Sequence, residues 1–229
     1  MRLIDTHSHL FLEEFSEDFP QVIERARAAG VTHIFMPNID STTIEAMLSA
    51  CSVYKGYCFP MIGLHPTSVN DNYEKELEIV ARELKFSKEY VAIGEIGMDL
   101  YWDKTYLKEQ QIVLDKQVNW ALEYDLPIVI HCRDAFDYIY KVLEPYKKTP
   151  LRGIFHSFTG TAEEAARVLE FSDFFIGING VVTFKKSHLP EILAGIPLEK
   201  IVLETDSPYL TPVPNRGKRN ESAYVKDTL

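Results

Sequence analysis

A chain of 229 residues with 46% hydrophobic content is long enough to bury a large core, and its length suits a single α/β barrel domain spanning residues 1–229. The formal charge of −10, from 34 acidic against 24 basic side chains, is the wrong sign for a protein that coats duplex nucleic acid non-specifically. A phosphate substrate stays open, because bound divalent cations would make the local potential positive.

No run of about eighteen apolar residues occurs, so no membrane partner is expected. The first ten residues carry Arg2, Asp5, His7 and His9 where a secretory signal would need an apolar stretch, which points to the cytoplasm. Cys51, Cys58 and Cys132 form neither a disulfide framework nor a CxxC metal pair, and are expected as reduced thiols.

In chain order, short apolar or β-branched runs predict strands at Leu3–Asp5, His33–Pro37, Phe59–Leu64, Val91–Ile96, Pro127–Ile130, Gly153–Phe155, Phe174–Ile178 and Ile201–Leu203. Helical spacing falls between them. Val22, Ile23, Ala26 and Ala29 precede Gly30, and Leu107–Glu123 carries Ile112, Leu114, Val118, Ala121 and Leu122. Strand and helix alternating without a linker predict parallel strands joined by helical crossovers, and eight units fit a TIM-like (β/α)8 barrel better than an open doubly wound sheet. After the last strand come the loop Pro208–Gly217 and only Lys218–Leu229, so the closing helix is short or missing. Either this tail covers the last strands or an apolar groove is left.

The strand ends carry the chemistry. Asp5, His7 and His9 alternate along the first strand and should face the barrel interior, where two imidazoles can chelate one cation and Asp5 can orient an imidazole. Glu95 lies between Gly94 and Ile96-Gly97, His131 ends strand five before Cys132 and Arg133, His156 ends strand six, and Asp206 follows Leu203-Glu204-Thr205. Barrel active sites lie at the carboxyl ends of strands, so these groups should converge on one mouth. An ionisable group buried without a partner costs several kcal/mol, and a metal removes that cost. Pairwise readings compete, Glu95 with Arg133 or Arg133 with Asp134. His33, at the start of a strand, and His188, in a polar segment, are expected to be structural or solvated.

In this order Ile4-Asp5-Thr6-His7-Ser8-His9, Gly63-Leu64-His65-Pro66, Gly94-Glu95-Ile96-Gly97-Met98-Asp99, His131-Cys132-Arg133, Phe155-His156-Ser157-Phe158 and Leu203-Glu204-Thr205-Asp206-Ser207-Pro208 resemble the TatD-family metal-dependent deoxyribonucleases, from Arg2 to about Tyr224. The resemblance implies a barrel related to the amidohydrolases and a dinuclear divalent-metal centre that hydrolyses phosphodiesters, often from the 3′ end of single-stranded DNA. It implies His7, His9, Glu95 and Asp206 around one metal and Glu95, His131 and His156 around the second, with Glu95 bridging where related amidohydrolases commonly carry a carbamylated lysine. Two features depart from the family pattern: Phe11 stands where Asp or Asn is usual, and the terminal helices after Arg219-Asn220-Glu221-Ser222 are absent.

Two cations about 3.5 to 4 Å apart would activate water and stabilise the phosphate and leaving oxygens, with Asp206 as general base. His65 as a donor and Arg133 through its planar fork are expected to contact the phosphate. Four imidazoles favour Zn, Mn, Fe or Ni, whereas the resemblance implies activity with Mg. Tyr101 and Trp102, after Asp99, either pack over the mouth or stack on bases of a weakly bound single-stranded DNA end. No obligate protein partner is evident. One alternative is an amidohydrolase-like deacylase or esterase on the same scaffold, acting for example on aminoacyl-tRNA. A metal-binding protein without turnover would keep the ligands but lack an open coordination position.

Overall fold

The computed structural model describes residues 1–229. Its strands are β1 (Leu3–Asp5), β2 (Val31–Pro37), β3 (Cys58–Met61), β4 (Ile93–Asp99), β5 (Ile128–Arg133), β6 (Gly153–Phe155), β7 (Phe174–Ile178) and β8 (Ile201–Leu203). The helices between them are α1 (Phe19–Ala28), α2 (Ile44–Val53), α3 (Tyr73–Phe86), α4 (Leu107–Glu123), α5 (Phe136–Leu143), α6 (Ala162–Val168) and α7 (Leu189–Leu193). All neighbouring strands run parallel, in two ladders, β1 to β3 and β4 to β8.

Two short seams join the ladders. At one, Ile62 bridges to Ile93 and the Gly94 N–H donates to the Ile62 carbonyl (2.9 Å). At the other, Ser8 bridges to Ser207, the Thr6 N–H donates to Leu203 (3.1 Å) and the His9 N–H donates to Ser207 (2.8 Å). The sequence of strands β1 to β8 thereby closes into the TIM-like barrel, and the open-sheet alternative falls. The β8 to β1 seam brings residues almost two hundred positions apart into one wall, carrying His7 and His9 to Asp206.

One cluster of 48 buried apolar side chains lies between strands and helices. Helix α4 shows how the sequence assembles it: Gln110, Val113, Leu114, Gln117, Val118 and Ala121 recur at helical spacing and are buried. Ile112, expected on this stripe, is 55% exposed. The two glutamines take the inner face instead because each completes a strand end. Gln117 accepts from the Leu64 N–H (2.7 Å) and donates to its carbonyl (3.2 Å), while Gln110 does the same for Asp99 (2.9 and 3.1 Å). Asn38 accepts from the Gly63 N–H (2.7 Å). Side chains therefore replace the ladder from Gly63 onward, which is why β3 ends at Met61 rather than at Leu64.

The C-terminal tail covers the β8 to β1 seam. Asn220 donates to the carbonyls of Thr205 (2.8 Å) and Tyr209 (2.6 Å), and a 3-10 turn over Ser222–Asp227 packs the fully buried Val225 against α1 and β1. The short tail thus covers the β1 side of that seam, while Ile201, Val202 and Leu203 of β8 stay only half-buried. Cys51 and Cys58 are buried free thiols and Cys132 is a half-buried one. No helix is long and apolar enough to cross a membrane.

Candidate metal centre

Glu95 sits at the middle of β4, a strand buried over its whole length. Two residues on, Gly97 has φ +137°, and a Cβ there would lie 2.0 Å from the His131 carbonyl oxygen. Only glycine permits this approach of β4 to β5. His131 is the register partner of Gly97, so the close contact delivers its ring to Glu95.

The two carboxylate oxygens of Glu95 face different imidazoles. Oε2 lies 3.1 Å from His7 Nε2 and 3.5 Å from His9 Nε2. Oε1 lies 2.8 Å from His156 Nε2, 2.9 Å from His131 Nδ1 and 3.3 Å from His65 Nε2. Asp206 Oδ1 is 3.8 Å from both His7 Nε2 and His9 Nε2. Glu95 pairs with neither Arg133 nor any other guanidinium, and Arg133 pairs with no carboxylate, so the pairwise readings fail. His33 stacks on Phe59 and His188 is solvated beside Glu191, away from this cluster.

Burial alone would push the Glu95 carboxyl up, but His156, His65 and His7 outweigh it and hold it well below the usual carboxylate range. Burial, reinforced by the neighbouring His156, lowers His7 to about 4. His156 stacks on His7 at 3.7 Å; burial would lower it too, yet Glu95 and Glu204 raise it well above an ordinary imidazole. Burial raises Asp206 to about 6.

Hydrogen bonds on the outer ring nitrogens decide which inner nitrogens offer a lone pair. His9 Nδ1 lies 3.2 Å from the Pro37 carbonyl, an acceptor, so Nδ1 carries the proton and Nε2 presents its lone pair inward. Asp99 Oδ2, 2.9 Å from His131 Nε2, leaves His131 Nδ1 free in the same way. Glu204 Oε1 lies 3.3 Å from His156 Nδ1, at an angle too poor for a full bond. His65 is the opposite case. Its Nδ1 accepts from the Thr67 N–H (3.2 Å), so Nε2 carries the proton and is a donor.

Lone pairs of His9 and His131 converging on one carboxylate repel it unless cations lie between. Ligands about 2.1 Å from a shared ion stand about 3.0 Å apart at right angles and about 3.4 Å apart on a tetrahedron. The His7–His9 separation of 3.1 Å falls in that range, and the Glu95 contacts of 2.8 to 3.5 Å bracket it. The buried His7 Nδ1 has no partner. The donor set fits divalent cations.

Local backbone aims these groups. Asp206 (φ +58°) and Ser157 (φ +48°) leave β8 and β6 in the left-handed region, a conformation that costs of order 1–3 kcal/mol and is concentrated at functional sites. Asp5 departs from expectation. The chain bends at Thr6, and the Asp5 carboxylate turns from the imidazoles to accept from the Thr205 N–H (2.9 Å) and hydroxyl (2.7 Å). It holds the turn that presents Asp206.

Glu204 and Asp99 have no role assigned from sequence, although both close apolar strands as the other site residues do. Glu204 is fully buried, accepts from the Ser157 N–H (2.6 Å) and leaves Oε2 without a partner. Around the cluster, a cleft of 660 Å³ is lined by Trp102, Arg133, Ser157, Val181 and Tyr209. Trp102 is 73% exposed, so it does not pack over the mouth. The Arg133 guanidinium lies 3.8 Å above the Tyr101 ring, which leaves the edge of its fork available.

A parallel barrel with imidazoles and carboxylates converging at its carboxyl end is the arrangement of a metal-dependent hydrolase. Residues 4–229 match the family described as TatD related DNase, and the chain belongs to it. It is 40% identical over 225 residues to the Bacillus subtilis uncharacterized metal-dependent hydrolase YabD, covering 98% of this chain and 87% of that protein. It is 31% identical over 233 residues to the Pantoea ananatis 3'-5' ssDNA/RNA exonuclease TatD, covering 99% and 89%. The crystal structure of the TatD homologue YjjV from Escherichia coli superposes with a TM-score of 0.92 at 30% identity, over 99% of this chain and 87% of that one.

Proposed function

We propose that this chain hydrolyses phosphodiester bonds at the ends of single-stranded DNA with two divalent cations, one held by His7, His9, Glu95 and Asp206, the other by Glu95, His131 and His156. The observation that carries the reading is the division of the Glu95 carboxylate, Oε2 toward His7 and His9 and Oε1 toward His131 and His156. When bound, the cations would polarise the phosphoryl group and lower the pKa of the attacking water.

The protein's own groups do the rest. Asp206, raised by burial to about 6, is positioned to accept the proton from water as attack begins. His65 donates through Nε2 to a phosphate oxygen, the role its bond from Thr67 prepares. Arg133 binds a second phosphate oxygen through the fork edge that Tyr101 leaves free. Trp102, exposed beside the cleft, gives a face on which a base stacks. The name of the Pantoea ananatis relative supports a single-stranded substrate.

The test is a single-stranded oligonucleotide labelled at its 5′ end, incubated with the purified chain and Mg or Mn. A ladder of products shortened from the 3′ end is expected, lost on chelation and restored by metal. Intact DNA alongside metal-dependent turnover of simple esters or aminoacyl-tRNA would replace this reading with a deacylase.

A further inference from the structure

The chain carries a net charge of −10, yet the rim of its mouth is not uniformly acidic. The segments after β1, β5 and β6, running into the first turns of α5 and α6, bring Glu13, Glu14, Asp134, Asp137, Glu163 and Glu164 to that end of the barrel, Asp137 paired to Arg167. Residues 179–188 after β7 and 207–219 after β8 contain no acid at all. They hold Lys185, Lys186, Arg216 and Lys218, all exposed and none ion-paired, whereas Arg219 just beyond is paired to Asp18 at 2.8 Å.

The two loops form one surface. Gly180 approaches Leu210 so closely that a Cβ would meet its carbonyl oxygen at 2.2 Å, and the Val213 N–H donates to Thr183 Oγ1 (2.9 Å). The Arg216 guanidinium lies 3.7 Å over the Phe184 ring, which fixes the cation beside Lys185 and leaves its fork edge outward. Val181, Tyr209 and Leu210, from the same loops, line the metal cleft. The basic surface therefore begins at the cleft wall, with Tyr209, 52% exposed, at the junction. The acids that reach these loops are Asp227, bonded to Asn215 (3.1 Å), Glu191, 3.7 Å from His188, and Glu14, which with Asp206 and Glu95 of the cleft neighbours Tyr209.

We propose that the loops after β7 and β8 form the track along which the body of a single-stranded nucleic acid lies while its end occupies the metal cleft. The inference rests on the phosphodiesterase reading for what happens to the end, but the track itself is a binding claim. Phosphates need cations, and the acidic loops after β5 and β6 repel a strand leaving the cleft on their side. Lys185, Lys186, Arg216 and Lys218 supply about four phosphate contacts at most, and Tyr209 offers a ring to the base nearest the cleft.

The experiment measures fluorescence anisotropy of a labelled phosphorothioate DNA strand of about twelve nucleotides, which resists hydrolysis and spans a typical single-strand site. Metal-loaded wild type is compared over a salt series with Lys185→Ala/Lys186→Ala/Arg216→Ala/Lys218→Ala. A Lys88→Ala/Lys148→Ala control removes two exposed cations at the opposite end of the barrel, and thermal melting verifies that each variant folds. The expected result is binding weakened about tenfold or more in the quadruple variant, with the slope of log affinity against log salt reduced by about 2 to 3, and no change in the control. Equal affinity and slope in wild type and quadruple variant, or no binding by wild type, overturns the track. Binding that follows the prediction while an ordinary strand stays uncut by the metal-loaded protein leaves the track standing and removes the phosphodiesterase reading.

Discussion

Two groups of charged side chains flank the first strand and are built on opposite rules. Between α1 and the tail, Arg25 Nη2 lies 2.6 Å from Glu221 and 3.0 Å from Asp18, and Arg219 lies 2.8 Å from Asp18, so every charge meets its opposite. In the mouth, five imidazoles surround one carboxylate, several present lone pairs to the same space, and His7 Nδ1 and Glu204 Oε2 have no partner. The first group is balanced in charge as it stands, with Asp18 Oδ1 met by Arg219 as an ion pair although not by a full hydrogen bond, and it ties the tail to the barrel. The second is complete only with cations. Buried charge marks a functional site when it is left unbalanced, not merely when it is buried.

The largest expected effect breaks the mouth alone. Glu95→Gln keeps the volume but removes the shared charge, and should lower hydrolysis of single-stranded DNA by about three orders of magnitude, the scale of losing about 4 kcal/mol of transition-state stabilisation. Circular dichroism should show an unchanged fold. A variant retaining wild-type rates would erase the distinction between the two groups.

Next is the support behind His156. Glu204→Gln should weaken metal binding about 10- to 100-fold, the usual cost of losing a group that orients a metal-binding histidine. A metal titration reads this directly, and wild-type affinity would reduce Glu204 to the holder of the Ser157 turn.

On the paired side the expected signs reverse. Glu221→Gln should cost about 1–2 kcal/mol of stability in urea unfolding, because a nearly buried carboxylate loses a bidentate guanidinium. Hydrolysis by the folded protein should not change.

The smallest effect concerns pH. The hydrogen bond from Arg219 outweighs burial, which would raise the carboxyl, and lowers Asp18 to about 2, from the ordinary aspartate value of about 4. A depressed folded pKa means the stabilisation is full above about pH 4 and is lost as pH falls through about 2. The stability difference between wild type and Asp18→Asn, about 0.5–1 kcal/mol at neutral pH because the pair is partly exposed, should therefore shrink over that window. A difference that instead grows on acidification would contradict the pairing.

Much of this contrast was legible in the sequence because apolar runs closed by His, Glu or Asp are costly unless those groups meet a partner. That reasoning located β1, β6, β7 and β8 within their observed limits and put His156 and Asp206 just past strand ends, whereas Glu95 and His131, expected at strand ends, lie within β4 and β5. What stayed hidden depends on partners distant in the chain. The Asp5 carboxylate serves Thr205, 200 residues away, and nothing local signals that bond. Glu204 finds Ser157 across 47 residues, and Gln117 finds Leu64 across 53. The protonated nitrogen of His65 follows from Thr67, only two residues on, but needs the loop's conformation to be seen.

The central claim is that the two oxygens of Glu95 serve separate cation subsites. Titrating the chelator-stripped protein with Mn²⁺, followed by electron paramagnetic resonance, tests it most directly. Two ions per chain with a spin-coupled signal are predicted for wild type, and loss of the coupling for Glu95→Gln. A single uncoupled ion in wild type, or coupling that survives the substitution, would contradict it.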